Sequence, residues 1–83
     1  MRYYFDMHNG IGFIRDEEGQ VAQDEEAARR IAIENIRSIV GEEASKGILD
    51  LRGKIDVRCE EADSIVPVAF TDAFELLLPP EGP

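Results

Sequence analysis

The residues whose types and spacing best suit catalysis or metal binding are the single histidine, His8, and a carboxylate two positions earlier, Asp6. On an extended strand, residues i and i+2 point to the same face. Asp6 could therefore orient the His8 imidazole for general-base work or metal ligation, with Asp16 as a third group. A lone histidine beside a turn is more often a surface residue. A small metal-dependent enzyme using His8 stays an alternative, and we predict no catalytic, cofactor-binding or metal residue.

The remaining candidates fit structural roles better than chemical ones. Asp16, Glu17 and Glu18, with Asp24, form an acidic run that lacks the alternating carboxylate spacing of a calcium loop. Turn formation and helix capping explain this run. Cys59 has no second cysteine to pair with and falls on the apolar side of a predicted strand, which indicates an inert buried thiol. The sequence favours a non-catalytic protein without cofactors but does not decide whether the chain is an enzyme.

The charge balance limits the classes of partner. Nine Lys and Arg stand against eighteen Asp and Glu, a formal net charge of −9, whereas nucleic-acid binding needs a basic surface. No apolar run is long enough to span a membrane, and the N-terminus lacks the apolar stretch of a signal peptide. We therefore predict no nucleic-acid partner, no membrane contact and a cytoplasmic location.

The element that must carry Asp6 and His8 is an N-terminal hairpin. Asn9-Gly10 between two β-prone runs is typical of a two-residue type I′ turn. Strands are thus predicted at residues 3–8 and 11–15. A second turn follows, in which Gly19 takes the left-handed conformation. Residues 20–22 either add a third strand or lead directly into a helix.

One amphipathic helix is predicted at residues 24–46. Asp24 is a suitable N-cap, and Gly47 is placed to end the helix. Its apolar residues fall in one arc at 100° per residue. They are Ala28, Ile31, Ala32, Ile36, Ile39 and Val40.

The second half of the chain predicts another antiparallel pair. Residues 54–59 alternate between apolar and charged side chains, as in a strand with one wet face. Residues 65–70 form the next strand, in which Pro67 favours an edge position. We therefore predict an α+β fold, an antiparallel sheet of about four strands packed on one helix in the order ββ(β)αββ. Residues 1–78 form the single domain and residues 79–83 a disordered C-terminal tail.

A two-residue hairpin loop pairs His8 with Ile11, and the alternation of the strands then fixes both sheet faces. The face against the helix holds Tyr3, Phe5, Met7, Gly12 and Ile14. The outer face, which we predict to be an interaction surface, holds Tyr4, Asp6, His8, Ile11, Phe13 and Arg15. Because one helix covers only one face of a small sheet, exposed apolar residues on the other favour a homodimer through that face, or contact with another protein.

The order of these features resembles a family of small bacterial proteins of unknown function. The resemblance rests on an aromatic hairpin (Arg2-Tyr3-Tyr4-Phe5 to His8-Asn9-Gly10) and a turn (Asp16-Glu17-Glu18-Gly19). It rests also on an Asp-capped helix (Asp24-Glu25-Glu26-Ala27-Ala28-Arg29 to Ala32) and a C-terminal hairpin (Gly53 to Val57 and Ala69 to Phe74). The family usually has Leu-Pro before the helix cap, where this chain has Ala22-Gln23. The resemblance covers the chain to about Glu75 and implies no activity.

A more distant likeness is to antitoxins of the HicB type, in which a hairpin precedes a helix that opens with a Glu-Glu-Ala run. That likeness implies binding and masking of a small toxin protein. Because this sequence shows no evident DNA-binding extension, it would imply only the toxin-facing half of such a role. It is an analogy at the level of the fold. The leading interpretation is a non-catalytic protein-interaction module that acts as a homodimer.

Overall fold

A computed structural model, which describes residues 1–82, shows one antiparallel sheet and one helix. The strands are β1 (Arg2–His8), β2 (Phe13–Ile14), β3 (Gln20–Val21), β4 (Lys54–Cys59) and β5 (Ile65–Ala69). The helix α1 (Glu25–Ser45) lies between β3 and β4 in the chain, and a 3₁₀ turn (Phe70–Ala73) follows β5. The strand order is β2-β1-β4-β5, and β3 pairs with β1. The predicted α+β fold and element order are confirmed, and the optional third strand is present.

The predicted hairpin register is wrong by two residues. His8 pairs with Phe13, not with Ile11, and Met7 pairs with Ile14. Residues 9–12 form a four-residue loop, in which the Asn9 side chain accepts hydrogen bonds from the amides of Ile11 and Gly12 at 2.8 and 2.9 Å. This Asn-centred turn competes successfully with the type I′ turn. Because a shift of two keeps every side chain on its face, Phe13 still lies on the outer face.

β2 and β3 behave as one strand interrupted by a bulge. Their partners on β1, Met7 and Tyr3, are four residues apart, whereas Ile14 and Gln20 are six apart. The two extra residues are accommodated in the segment 15–19, where Gly19 has a φ of +70°. A Cβ on Gly19 would lie 2.8 Å from the Tyr3 carbonyl oxygen, so glycine suits this position for space as well as conformation. Bulges of this kind disrupt the ladder locally and protect sheet edges.

The helix has the ends that its sequence predicts. The Asp24 carboxylate accepts a hydrogen bond from the Ala27 amide at 2.8 Å, and Gly47 takes a φ of +96° just after the C-cap. One residue per turn is fully buried, in the series Ala28, Ala32, Ile36 and Val40. This narrow stripe packs against β4, β5 and the 3₁₀ turn.

β4 has the predicted bounds and alternation, with Ile55, Val57 and Cys59 buried under the helix. β5 lies at the sheet edge, as Pro67 predicts, and a 3₁₀ turn follows it. Gly53 lies just before β4, where the main chain passes close to the His8 carbonyl oxygen and the Phe70 ring. A Cβ there would stand 2.6 Å from the His8 carbonyl oxygen and 2.7 Å from the Phe70 ring.

The helix covers less of the inner sheet face than the sequence predicts. Tyr3 is buried, but Phe5 and Met7 are only half-buried, and Ile14 is 56% exposed. The reason is geometric, because α1 lies over β4 and β5 and leaves β1 and β2 partly open. The predicted core is therefore correct near Tyr3 and wrong at Ile14.

The chain from residue 74 to residue 82 contains no helix or strand. The predicted division into a domain at residues 1–78 and a disordered tail at residues 79–83 stays a prediction, and Pro83 lies outside the described residues. Of the helical segments within residues 1–82, none has the length and apolar character needed to cross a membrane.

Candidate functional site

The outer face of the sheet carries most of the predicted interaction residues. Tyr4, Asp6 and His8 alternate along β1 on the side away from the helix, and Phe13 lies beside His8 with ring centroids 4.6 Å apart. Arg15 follows β2 and is exposed. The same face receives Lys54, Asp56 and Arg58 from β4, directly opposite His8, Asp6 and Tyr4 in that order. Ile11 is separate, in the hairpin loop.

Asp6 is the most buried charged group of this face, with its side chain only 7% exposed. Arg58 donates to it from Nε at 3.0 Å and from Nη2 at 3.3 Å, and the Asp16 amide donates at 2.9 Å. Burial alone would raise the pKa of Asp6. The hydrogen bonds from Arg58 and Asp16, with the charges of Arg58 and Arg15, outweigh burial and hold that pKa below its usual value.

Asp56 faces Asp6 across the β1–β4 pair, a placement of like charges that destabilises a sheet unless cations compensate it. Asp56 has partners of its own on this face. The His8 Nε2 atom lies 3.0 Å from one carboxylate oxygen, and the Lys54 ammonium lies 3.3 Å from the other. Asp6 and Asp56 therefore contact different side chains, Arg58 for Asp6 and His8 with Lys54 for Asp56.

Tyr4 lies at the far end of the outer face and contacts Arg58 and Glu60. The Arg58 guanidinium lies 4.4 Å from the centroid of the Tyr4 ring, a cation–π geometry. The Tyr4 hydroxyl donates to a Glu60 carboxylate oxygen at 2.9 Å. That hydrogen bond, with burial and the charge of Glu60, raises the pKa of Tyr4. The carboxylates of Asp6 and Asp56 are therefore each paired within the subunit.

The arrangement does not bring His8, Asp6 and Asp16 together as an acid–base or metal site. The imidazole contacts Asp56 instead of Asp6, because Arg58 occupies the Asp6 carboxylate. Within residues 1–82, no group of three or more His, Cys, Asp or Glu side chains is placed to hold a metal ion. Cys59 is buried, as predicted.

Asp16 has a structural role at the bulge. One of its carboxylate oxygens accepts the Phe5 amide at 3.0 Å, and the other accepts the Glu18 and Gly19 amides at 3.2 and 3.1 Å. The side chain thereby takes the place of a neighbouring strand at the middle of β1. The predicted explanation of the acidic run, turn formation and capping by Asp24, is confirmed.

The two edges of the sheet differ in what they offer to another chain. In the β4–β5 ladder, hydrogen bonds join Cys59 to Ser64 and Phe70 to Gly53, so by antiparallel alternation residues 65, 67 and 69 turn their main-chain groups to the free edge. Pro67 has no amide hydrogen, and the Ala69 amide donates to Asp72 at 2.9 Å. The β5 edge is thus largely closed to strand addition.

The β2 edge is open. The Asn9 amide bonds to the Gly12 carbonyl oxygen, and Met7 pairs with Ile14, so the main-chain groups of Phe13 point away from β1. Large apolar side chains surround this point, with Ile11 97% and Phe13 53% exposed. Of the predicted outer-face residues, Phe13 keeps its face, whereas Ile11 lies in the hairpin loop and borders a small cavity with Ile39 and Val40 of α1. We define the β2 margin as these two exposed apolar residues, Ile11 and Phe13.

A groove that is not evident from the sequence lies on the other side of the same edge. It has a volume of about 680 Å³ and runs between α1 and the segment 14–20. Its apolar surface comes from Phe5, Met7, Ile14 and Ile39. Periodicity identifies each of these residues as apolar-face, but only the position of the helix over β4 and β5 shows that they are incompletely covered.

A family model described as a domain of unknown function (DUF6894) matches residues 2–71. The matched span contains all five strands and the helix, and it ends within the 3₁₀ turn. This confirms the resemblance to a family of small proteins of unknown function. No curated protein and no solved structure matches the chain, and no match connects it with HicB-type antitoxins.

Proposed function

We propose that this chain, which belongs to the DUF6894 family of domains of unknown function, is a non-catalytic protein-interaction module that forms a homodimer through the β2 margin of its outer sheet face. One observation carries the proposal. Ile11 and Phe13 are exposed together at an open strand edge, while the opposite edge is closed by Pro67 and Asp72. Exposed apolar groups beside unpaired main-chain groups favour association with another chain.

The charges of the outer face are compatible with such a contact. Asp6 is paired with Arg58, and Asp56 with His8 and Lys54, all within one subunit. A second copy can therefore approach without leaving either of these two carboxylates buried and unpaired, which is the main penalty for charges in an interface. The prediction that the partner is a protein and not nucleic acid, and the prediction of a cytoplasmic location, rest on composition alone.

The mass in solution tests the proposal. We expect multi-angle light scattering and sedimentation equilibrium to give twice the subunit mass at high micromolar concentration. Phe13→Asp and Ile11→Asp should shift the protein to a monomer, because each places a charge in the apolar contact. Ile11 is almost fully exposed in the subunit, so its replacement should leave the circular dichroism spectrum unchanged.

The matched control is Ile65→Asp. Ile65 is 60% exposed on the outer face at the opposite edge, so the substitution has similar chemistry and a similar starting exposure. It should leave the dimer intact. A wild-type monomer at several hundred micromolar, or equal dissociation by Phe13→Asp and Ile65→Asp, would refute the proposal.

A further inference from the structure

We infer that the groove between α1 and β2 binds an amphipathic, positively charged helix from a partner protein. The first observation that supports this inference is that α1 covers the inner face of the sheet incompletely. α1 packs mainly on β4, β5 and the 3₁₀ turn, so it covers the inner face of β1 and β2 only in part. Sheet faces of this kind are normally buried against a second layer.

The groove has the apolar surface that such a helix requires. Phe5 and Met7 from β1 are half-buried, Ile14 from β2 is more than half exposed, and Ile39 extends from the side of α1. Asn35 and Ser38 of α1 also line it, and these small polar side chains leave room beside the helix. An amphipathic helix places residues at i, i+3, i+4 and i+7 into an apolar groove in this way.

The charged residues that border the groove indicate the charge of the partner. Residues 15–18 border the groove with one arginine and three carboxylates. Asp16 is engaged with main-chain amides, but Glu17 and Glu18 are exposed and their side chains make no hydrogen bond or ion pair within residues 1–82. The whole chain carries a net charge of −9. Both the local and the overall field therefore favour a helix with Lys or Arg along the edges of its apolar stripe.

This surface is separate from the proposed dimer contact. Phe13 lies on the outer face, whereas the groove lies on the inner face, under Ile14. Ile11 lies in the hairpin loop and does not line the groove. A protein that stays monomeric could still bind a helix in the groove, and a dimer could fail to bind one. The two proposals therefore fail independently.

Three synthetic peptides of about fourteen residues, four turns of helix, test the inference by fluorescence anisotropy. The first has Leu in a helical stripe flanked by Lys. The second replaces each Lys by Glu, and the third keeps the Leu and Lys composition but destroys the period. We expect binding of the first peptide, at least about tenfold weaker binding of the third, and none of the second at the same ionic strength.

Variants of the full chain locate the contact. Glu17→Lys with Glu18→Lys should weaken binding of the first peptide about tenfold or more, because attraction at the rim becomes repulsion. Glu75→Lys with Glu81→Lys makes the same change in net charge at exposed positions outside the groove and should have little effect. Ser38→Trp, which fills the groove from the exposed side of α1, should also abolish binding.

Several outcomes would overturn the inference. Equal binding of the ordered and the scrambled cationic peptide would show unspecific attraction to an acidic protein. Equal loss in the two double-charge variants would show the same. Undetectable binding of all three peptides at millimolar concentration would also refute it. Unfolding curves of Ser38→Trp and of the Glu17 and Glu18 double variant confirm that each is folded before its binding is compared.

Discussion

Replacement of Asp16 tests whether the acidic turn is a structural device. Asp16→Ala removes the acceptor for the Phe5, Glu18 and Gly19 amides. Water can replace the carboxylate at the exposed Glu18 amide, but the other two bonds are partly buried. Hydrogen bonds to charged groups contribute about 1.5–3 kcal/mol each, with wide variation between sites. Two such bonds would contribute about 3–6 kcal/mol if fully buried. Because both are only partly buried, water recovers part of this, and we expect the free energy of unfolding to fall by about 2–4 kcal/mol.

Urea denaturation followed by circular dichroism at 222 nm measures this loss. In a domain of this size, each kcal/mol lowers Tm by about 4–8 °C, so a loss of about 2–4 kcal/mol should lower Tm by roughly 8–32 °C. Hydrogen exchange gives a local readout, since the Phe5 amide should lose protection more than the amides of β4. Asp16→Asn should lie between the wild type and Asp16→Ala, because its amide oxygen still accepts one of the bonds.

Glu17→Ala is the matched control. Glu17 is an exposed carboxylate next to Asp16 in sequence, and its side chain makes no hydrogen bond or ion pair within residues 1–82. The two alanine variants lose the same charge, so a difference between them reports the hydrogen bonds. Unfolding free energies within about 0.5 kcal/mol of each other would refute the structural role assigned to Asp16, since that is the usual spread for surface substitutions.

Three further predictions concern the closely packed and buried groups. Gly53→Ala should destabilise the protein by about 1–3 kcal/mol in thermal unfolding, because its Cβ would collide with the Phe70 ring and a β1 carbonyl oxygen. Asp6→Asn should reduce stability at neutral pH, and the deficit should shrink in acid. The pKa of folded Asp6 lies below 3.8, so its pairing with Arg58 stabilises the protein above that pH and is lost as the pH falls through the folded value. Cys59 should react with Ellman's reagent only slowly until urea unfolds the chain.

Each of these has a clear contrary result. Gly41→Ala is the control for Gly53→Ala, because a Cβ at Gly41 meets no atom within 4 Å. It should stabilise the helix slightly, and equal effects at the two glycines would contradict the close approach at Gly53. For Asp6, a deficit that is constant from pH 6 to pH 2.5 would contradict the lowered pKa. Rapid thiol reaction in native buffer would contradict the burial of Cys59.

Elements fixed by local sequence were predictable. Asp24 and Gly47 mark the ends of α1 through capping and positive-φ geometry, both of which depend on neighbouring residues. The alternation at Lys54–Cys59 gave the bounds and the buried face of β4 for the same reason. The hairpin loop is also a local feature, but its predicted length is wrong. The Asn9 side chain favours a four-residue loop and the Asn-Gly pair favours a two-residue turn, and the sequence does not show which of the two is more stable.

The candidate sites depend on non-local placement, and the sequence could show them only in part. The alternation of residues 54–59 predicts that Arg58 lies on the wet face of a strand, but its pairing with Asp6 depends on the register between β1 and β4. The groove needs the lateral position of α1 over the sheet, which an apolar arc does not specify. The predicted face of Phe13 is correct despite the error in the hairpin register, because the register is shifted by two residues and an even shift keeps each strand side chain on the same face.

The unequal edges of the sheet limit the size of any assembly. A head-to-tail contact would join the β2 edge of one subunit to the β5 edge of the next and could continue without end as a filament. Pro67 and the bond from the Ala69 amide to Asp72 obstruct that contact. Association between β2 edges uses the same surface on both subunits, so it is isologous and consumes the open edge of each. In the proposed dimer, growth would therefore stop at two copies, because the β5 edge is largely closed to strand addition.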